Sequence, residues 1–420
     1  MINTGDTAWV LASGALVLFM TPGLAIFYGG MVRAKSALNM MMMSFAAIGV
    51  TTIIWVLYGY SLAFGTSHGG LIGSFEHVGL AKTLNTVVGP HGHHIPTLSF
   101  AMFELTFAVI TVALLSGAIA DRAKYGSWVL FIAIWITVVY IPVAHWAFAS
   151  QNGNGGWIVD KLGALDFAGG TVVEINSGAA ALALALVLGK RDGFKRDPMR
   201  PHNMPLVLLG AGMLWFGWFG FNAGSALSAG SLAATAMINT QIASAAASMS
   251  WVLFEKYRDG KATTLGVASG AVAGAVVITP ACGFINPMAA LILGLIAGMA
   301  GSYAVSRKYK FGYDDSLDVV GVHGVSGIIG MLGIGLFATV TVNAAGKDGL
   351  FSGGGTELLV RQLIAIIVVA LFSFCATWLI AKAISLSIGF RTLHDDEITG
   401  LDTIYHAESA YDITGNSNRY

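Results

Sequence analysis

The segments DFAGGTVVEINSG (166–178) and DSLDVVGVHGVSG (315–327) share one pattern, and this pattern decides the expected fold. In each copy an Asp is followed eight residues later by an ionisable residue, and then by Ser-Gly, so that Glu174 corresponds to His323. Both segments run into long apolar stretches, where an ionisable side chain costs about 2.5–3.5 kcal/mol on membrane-insertion scales. Glu174 and His323 are therefore candidates for a functional site.

The composition predicts an integral membrane protein. Of 420 residues 55% are hydrophobic and only 10% are charged, whereas soluble domains carry about 25% charged residues. The two cysteines, Cys282 and Cys375, lie in apolar surroundings, which argues against a disulfide framework or a metal cluster. Phosphate-loop and HExxH signatures do not occur in the sequence. We therefore expect no enzyme activity, no cofactor, no metal and no nucleic-acid partner.

Eleven apolar segments approach the roughly 20 residues that a spanning helix needs. They fall at about 8–31, 40–64, 99–120, 127–148, 167–189, 203–224, 233–254, 264–281, 287–305, 318–340 and 358–385. Lys and Arg concentrate in the connections on one side, such as 190–200 and 256–261. Because basic loops stay in the cytoplasm, we expect the N-terminus outside and the C-terminus inside a cell membrane, plasma or inner.

The spacing of the two patterns predicts an inverted repeat. The second copy falls five spans after the first, in the tenth segment against the fifth, so the copies cross the bilayer in opposite directions. The repeat covers about 8–189 and 203–340, with a final helix at about 358–385 outside it. Eight residues of helix rise about 12 Å in a hydrocarbon core about 30 Å thick, which predicts Glu174 and His323 near the midplane. We expect an all-α fold with a membrane domain at 1–390 and a cytoplasmic tail at 391–420.

Three sets of residues allow more than one interpretation. Asp166 opens a predicted helix, so it either caps the free amides there or supports a cation site. Glu174 and His323 either hold the two halves together or line a permeation path. The histidines at 91, 93 and 94 either bind a metal or belong to a solvated loop.

Several longer runs resemble the ammonium transporter family, Amt/Mep/Rh, in the same order and over nearly the whole chain. They are FYGGMVRAKSALN (27–39), SGAIADR (116–122), YIPVAHW (140–146), DFAGGTVVEIN (166–176), GWFGFNAGSA (217–226), ITPACGFI (278–285) and DVVGVHGVSG (318–327). The resemblance implies a homotrimer with one narrow apolar pore per subunit that conducts ammonium or ammonia across the bilayer. The family has two pore histidines; here Glu174 stands at the first position, as in a subset of the family, and His323 at the second.

The resemblance also implies residues for the outer pore mouth. Phe107 and Phe221 match the stacked phenylalanines that gate the pore. Ser225 matches the hydroxyl of the recruitment site, and Asp166 matches the acid that supports it. Phe148 stands where the family has a tryptophan, and the neighbouring Trp146 is a possible substitute.

The tail contains EITGLD and HAESAY, which resemble the ordered cytoplasmic tail of the family. The resemblance implies a regulatory role and contact with a PII-type signalling protein; the matching residues are Gly400, Leu401, Asp402, His406 and Tyr411. An acidic, solvated and flexible end is the alternative. For the whole chain, the alternative function is an ammonium sensor that signals through its tail and conducts only secondarily.

Overall fold

The computed structural model describes residues 1–90 and 92–411 of the chain. Long helices dominate it: α1 Thr4–Met31, α2 Ala34–Phe64, α3 Thr97–Ile119, α4 Tyr125–Phe148, α5 Gly170–Leu188, α6 Met204–Gly224, α7 Ser231–Asp259, α8 Thr264–Ile278, α9 Pro287–Phe311, α10 Val320–Phe337 and α11 Glu357–Ser387. Two short helices follow, α12 His394–Thr399 and α13 Leu401–His406. The expected all-α membrane fold is confirmed.

Within the described residues, nine of these helices are long and apolar enough to cross a membrane. The exceptions are α7 and α8. α8 has only 15 residues, and α7 contains the polar run Asn239-Thr240-Gln241. The Asn239 side-chain amide is buried and its N–H groups donate to the carbonyls of Cys282 and Ile285 at 2.8 Å, so these two donors are satisfied inside the protein. Eleven crossings and the orientation of the termini stay predictions.

The two ends of the helix bundle differ. One end, the loop face, carries the segments 65–90, 92–96 and 149–169. It includes two small antiparallel hairpins, β1 Ser67–His68 with β2 Ile72–Gly73 and β3 Val87–Val88 with β4 Ile95–Pro96. The other end, the tail face, carries the loop 189–203 and the segment 391–411.

The first helices of the two predicted halves, α1 and α6, pack along each other. Small residues make this possible, since Gly210, Gly217, Gly220 and Gly224 of α6 all lie against α1. A Cβ at Gly210 would collide with the backbone of Phe27. Close approach through small residues is how membrane helices gain packing energy when lipid is as apolar as the side chains.

The two copies of the repeated pattern form the starts of α5 and α10, and both begin with a wide, π-helical turn, at Gly170–Ile175 and Val320–Val325. Such turns are rare and occur often at functional sites. The two helices then cross. A Cβ at Gly178 would collide with Gly324, and a Cβ at Gly327 would lie 2.8 Å from the Cβ of Glu174. The Gly that ends each copy of the pattern therefore lets the two helices approach.

The Asp that opens each copy caps its own helix. The Asp166 carboxylate accepts hydrogen bonds from the backbone N–H groups of Gly169, Gly170 and Thr171 at 2.7–2.8 Å, and from the Thr171 hydroxyl at 2.5 Å. In the second copy, Asp315 Oδ2 accepts from the Val320 N–H at 2.7 Å. These bonds satisfy amides that lack partners at a helix start.

The helix crossing gives a stability prediction. Gly178→Ala adds a methyl group where the backbone of Gly324 leaves no space, so we expect a loss of about 1–3 kcal/mol, the usual cost of overpacking. Gly212→Ala is the control, because a Cβ there meets nothing within 4 Å. The measurement is the midpoint of thermal unfolding in detergent. Equal midpoints for both variants and the wild type would contradict the close crossing.

Candidate functional site

The structure brings Glu174 and His323 into direct contact at the crossing of α5 and α10. His323 Nδ1 lies 2.7 Å from Glu174 Oε2, and the two side chains are only 4% and 0% exposed. Glu174 Oε1 has no hydrogen-bond partner within the described residues. The pair therefore keeps one free acceptor in an otherwise apolar interior.

Both side chains line a small enclosed space, which we call the midplane cavity. Its volume is about 10 Å³, roughly the room that one water needs. Its wall is otherwise apolar and aromatic: Met20, Leu24, Phe27, Ile110, Leu114, Val173, Leu214, Trp218, Phe221 and Val272. Such a cavity can admit a small neutral molecule, but a bare ion would lose its hydration there.

Two stacked phenylalanines close the midplane cavity toward the loop face. The rings of Phe107 and Phe221 have centroids 4.2 Å apart and are tilted by 33°, and each residue is 1% exposed. Phe221 lines the midplane cavity, while Phe107 lines a second cavity nearer the loop face. The stacked rings therefore lie between two neighbouring spaces in the protein.

The second space, the mouth cavity, has a volume of about 260 Å³. It brings together four of the residues expected at the pore mouth, Phe107, Phe148, Asp166 and Ser225. The rest of its lining is Phe100, Phe103, Glu104, Ala147, Val159, Phe167 and Leu227. Aromatic faces beside a hydroxyl and carboxyl groups suit a small cation.

Asp166 and Ser225 also make hydrogen bonds within the protein. Burial raises the pKa of the Asp166 carboxyl, while the hydrogen bonds from Thr171, Gly169 and Gly170 act in the opposite direction. The Ser225 hydroxyl donates to the Phe221 carbonyl at 2.8 Å. Its oxygen keeps lone pairs that can accept from a ligand.

Trp146 does not lie with these residues. Its indole N–H donates to the Leu71 carbonyl at 2.8 Å, and its ring packs against Trp157 and Phe372. The suggestion that it substitutes for the family's tryptophan is corrected, because side chains two residues apart on a helix point about 200° apart and it is Phe148 that lines the mouth cavity.

Among the lining residues that were not singled out from the sequence, Trp218 and Glu104 are the two with polar side-chain groups. Trp218 lines the midplane cavity, where its ring lies 5.6 Å from that of Phe221, and its N–H donates to Thr279 Oγ1 at 2.9 Å. Glu104 lines the mouth cavity and is 7% exposed. A signal for Glu104 is present in the sequence, since an acid inside an apolar span is a functional candidate.

The histidine-rich loop gives no metal site within the described residues, in which no group of three His, Cys, Asp or Glu side chains converges. His93 Nδ1 lies 2.9 Å from Asp6 Oδ2. His91 lies outside the described residues.

The described part of the tail lies on the tail face and contacts it closely. Asp402, which is 2% exposed, accepts from the backbone N–H groups of Leu38 and Asn39 at 3.0 and 2.7 Å, at the start of α2. His406 Nε2 lies 3.1 Å from Asn39 Oδ1, and its ring packs on Tyr125. The segment to residue 411 is thus ordered against the helices, while 412–420 lie outside the described residues.

The remaining tail residues add contacts with the same face. The Tyr411 hydroxyl lies 2.8 Å from His202 Nε2. Gly400 has φ +120°, and a Cβ there would clash with Lys35. The Leu401 side chain is fully buried. A left-handed backbone in close contact explains why glycine occupies position 400.

A buried ion pair joins the loop after α5 to the loop after α9, next to the tail. The Arg191 guanidinium contacts both carboxylate oxygens of Asp314, at 2.8 and 2.9 Å. Burial alone would raise the pKa of Asp314, but the hydrogen bonds and charge of Arg191 lower it to about 2. The next residue, Asp192, donates its N–H to Glu397 of the tail at 2.7 Å.

Comparisons with known proteins point to one family. The sequence model of the Ammonium Transporter Family matches residues 8–411. An ammonium transporter of Mycobacterium tuberculosis is 52% identical over 431 residues, covering 97% of this chain and 90% of the relative. The crystal structure of Saccharomyces cerevisiae Mep2 matches with a TM-score of 0.86 and 33% identity, covering 94% of this chain and 88% of that one. A structure named Sensor Amt Protein matches with a TM-score of 0.86 and 27% identity, covering 96% and 98%.

The long apolar helices and the family of the matching proteins define a multi-pass membrane protein of the transporter class. The chain belongs to the ammonium transporter family. Family membership confirms the resemblance seen in the sequence. Whether the chain falls in a subset with an acid at the first pore position stays a prediction.

The tail contacts give a second prediction. Asp402→Ala leaves two amides at the start of α2 without a partner, which costs about 0.5–2 kcal/mol for a typical helix cap. We expect faster backbone hydrogen exchange at 394–411, because the tail loses this anchor. Asp395→Ala is the control, since Asp395 is an exposed acid of the same tail. Unchanged exchange in the Asp402 variant would show that the tail is held by its other contacts.

Proposed function

We propose that the protein moves ammonium or ammonia across the membrane through one apolar pore per subunit. The observation that carries the proposal is the line formed by the mouth cavity, the stacked rings of Phe107 and Phe221, and the midplane cavity with Glu174 and His323 at its end. In this proposal the loop face is outside, Ser225 and Phe148 receive the cation, and the stacked rings exclude water.

The chemistry of the substrate fits such a path. Ammonium and potassium are alike in charge and size, so aromatic faces and a hydroxyl attract either ion. Ammonium differs because it donates hydrogen bonds and can lose a proton. Carrying a bare charge through the apolar midplane cavity is expensive. Deprotonation at the mouth followed by passage of neutral ammonia therefore favours ammonium over the metal ion.

In this proposal the proton that ammonium releases at the mouth also crosses, by way of the Glu174–His323 pair, so that one proton and one ammonia cross together and carry current. A neutral carboxyl beside a neutral imidazole and a carboxylate beside an imidazolium both carry zero net charge, so moving a proton between the two groups leaves the net charge unchanged and costs little energy. The unpartnered Glu174 Oε1 can accept a further hydrogen bond from a molecule in the midplane cavity. The pair thus serves as a relay in the proposed mechanism.

Assembly and regulation belong to the same proposal. The family resemblance favours a homotrimer, a membrane domain at 1–390 and a regulatory tail at 391–420. The docked residues 394–406 cover part of the tail face, where a PII-type signalling protein would bind.

An ammonium sensor is the second candidate. Two observations favour it: the similarity to the Sensor Amt Protein, and the tail contacts that link Asp402 to the start of α2. A sensor would bind ammonium at the mouth cavity, change the tail contacts and conduct little. Ammonium-dependent protection of 394–411 without ammonium current would favour this function.

The test of transport is current recording on protein reconstituted in liposomes, with ammonium or potassium outside and at two external pH values. We expect current with ammonium and none above background with potassium. Empty liposomes give the background. Absence of ammonium current at both pH values would overturn the proposed transport.

The relay gives a further prediction. Glu174→Gln keeps the shape of the side chain but removes the acid, and we expect it to lower the ammonium current about 100-fold, the lower end of what a positioned proton-transfer group contributes. His323→Ala leaves an unpaired acid, which attracts cations, so we expect a potassium current to appear.

The control for these two variants is His68→Ala, because His68 is an exposed histidine on the loop face. All three variants are compared at matched expression and after a check of folding. Wild-type currents and selectivity in both pore variants would mean that the pair only holds the two helices together.

A further inference from the structure

Glu104 is a buried acid in the mouth cavity that has no role in the pathway proposed above. It lies seven residues into α3, about 10 Å along the helix from Thr97. Phe103 and Phe107, one residue before and three after it, line the same cavity. The residue is 7% exposed, and its Oε2 has no hydrogen-bond partner within the described residues.

The other acid in the cavity wall differs from Glu104 in its bonding. Asp166 accepts four hydrogen bonds, two on each carboxylate oxygen, all from the start of its own helix. A carboxylate has about four lone-pair sites, so Asp166 has little capacity left for a ligand. Of the two acids that line the mouth cavity, Glu104 has the unused acceptor.

Nothing in the cavity wall compensates the charge of Glu104. The remaining lining residues are aromatic or aliphatic apart from Ser225, and none is basic. A buried carboxylate is costly unless a proton or a cation neutralises it. An unfilled acceptor beside a cavity of about 260 Å³ therefore suits a cation that donates N–H hydrogen bonds.

The aromatic residues alone bind such a cation weakly. Phe148 and Phe107 line the cavity, but among aromatic side chains phenylalanine attracts cations less than tryptophan does. A carboxylate in the same cavity supplies the additional attraction for a cation that the phenylalanine rings lack. It also adds a directional acceptor, which separates cations that donate hydrogen bonds from metal ions of the same charge.

We infer that the Glu104 carboxylate binds the substrate cation in the mouth cavity, accepting N–H hydrogen bonds from ammonium or a small primary alkylammonium ion. This inference rests on the proposed transport function and deepens it. Ser225 Oγ accepts on the opposite side in this arrangement, and Asp166 acts only through the helix start that it caps. Glu104 is thus a substrate-binding residue, and Asp166 is a positioning residue.

The test is the dependence of ammonium current on ammonium concentration in Glu104→Gln. The amide keeps the size of the side chain and removes the charge. A hydrogen bond to a charged group contributes enough to binding that its loss raises the apparent KM about tenfold or more. The maximal current should stay within about twofold, because the path beyond the phenylalanines is unchanged. A merely structural role would lower the maximal current and leave KM unchanged.

Two further variants complete the experiment. Glu76→Gln is the control, since it removes one acid from the loop face outside the mouth cavity, and its KM should equal that of the wild type. Glu104→Asp keeps the charge but withdraws it by one methylene, so we expect a smaller rise in KM. This variant also tests the inference if Glu104→Gln does not fold.

The outcomes separate the two proposals. A wild type without ammonium current overturns the transport function and with it this role of Glu104. A wild type that conducts, beside Glu104 variants with unchanged KM, overturns the role of Glu104 alone. A rise in KM in the order wild type, Glu104→Asp, Glu104→Gln supports it.

Discussion

The contact between Glu174 and His323 is the constraint on which the rest of the structure depends. Ionisable groups buried in an apolar interior need partners, and these two can meet only if their helices approach very closely. Gly178 and Gly327 provide that approach, and the two Asp caps fix where the helices start. Capping, small-residue packing and the buried pair are thus one arrangement. It is built twice from one local pattern and closed by a 2.7 Å hydrogen bond.

The same arrangement explains how the path can attract a cation at its mouth and yet not conduct the intact ion. The mouth cavity combines acidic, hydroxyl and aromatic groups, whereas the midplane cavity is apolar apart from the pair. The stacked rings of Phe107 and Phe221 lie between the two spaces, and each ring lines one of them. The groups that attract a cation therefore lie on one side of the rings. The free-energy cost of burying a charge arises on the other side.

Those features that depend on local sequence could be predicted. The apolar segments follow from composition, and the helix caps and the Glu174–His323 pairing follow from the spacing of a repeated pattern. Features set by distant parts of the chain could not be derived in this way. Whether Trp146 or Phe148 faces the cavity depends on the rotation of α4 against its neighbours. The environment of Glu104 requires residues from α3 and α4 together with the segments before α5 and after α6. The sequence left the tail open between a flexible and an ordered end, because its anchors, such as Leu38 and Asn39, lie more than 300 residues away.

The tail contacts also bear on how the protein can be handled. After the last long helix ends at Ser387, about two dozen residues return along the tail face, and Asp402 completes the hydrogen bonding at the start of α2. A purification tag or fluorescent reporter joined directly behind Ser387 would take the place of that contact and leave those amides to solvent. Fusions placed beyond Tyr411 leave it intact. The choice of junction thus decides whether a labelled protein reports on the native chain or on one with an altered second helix.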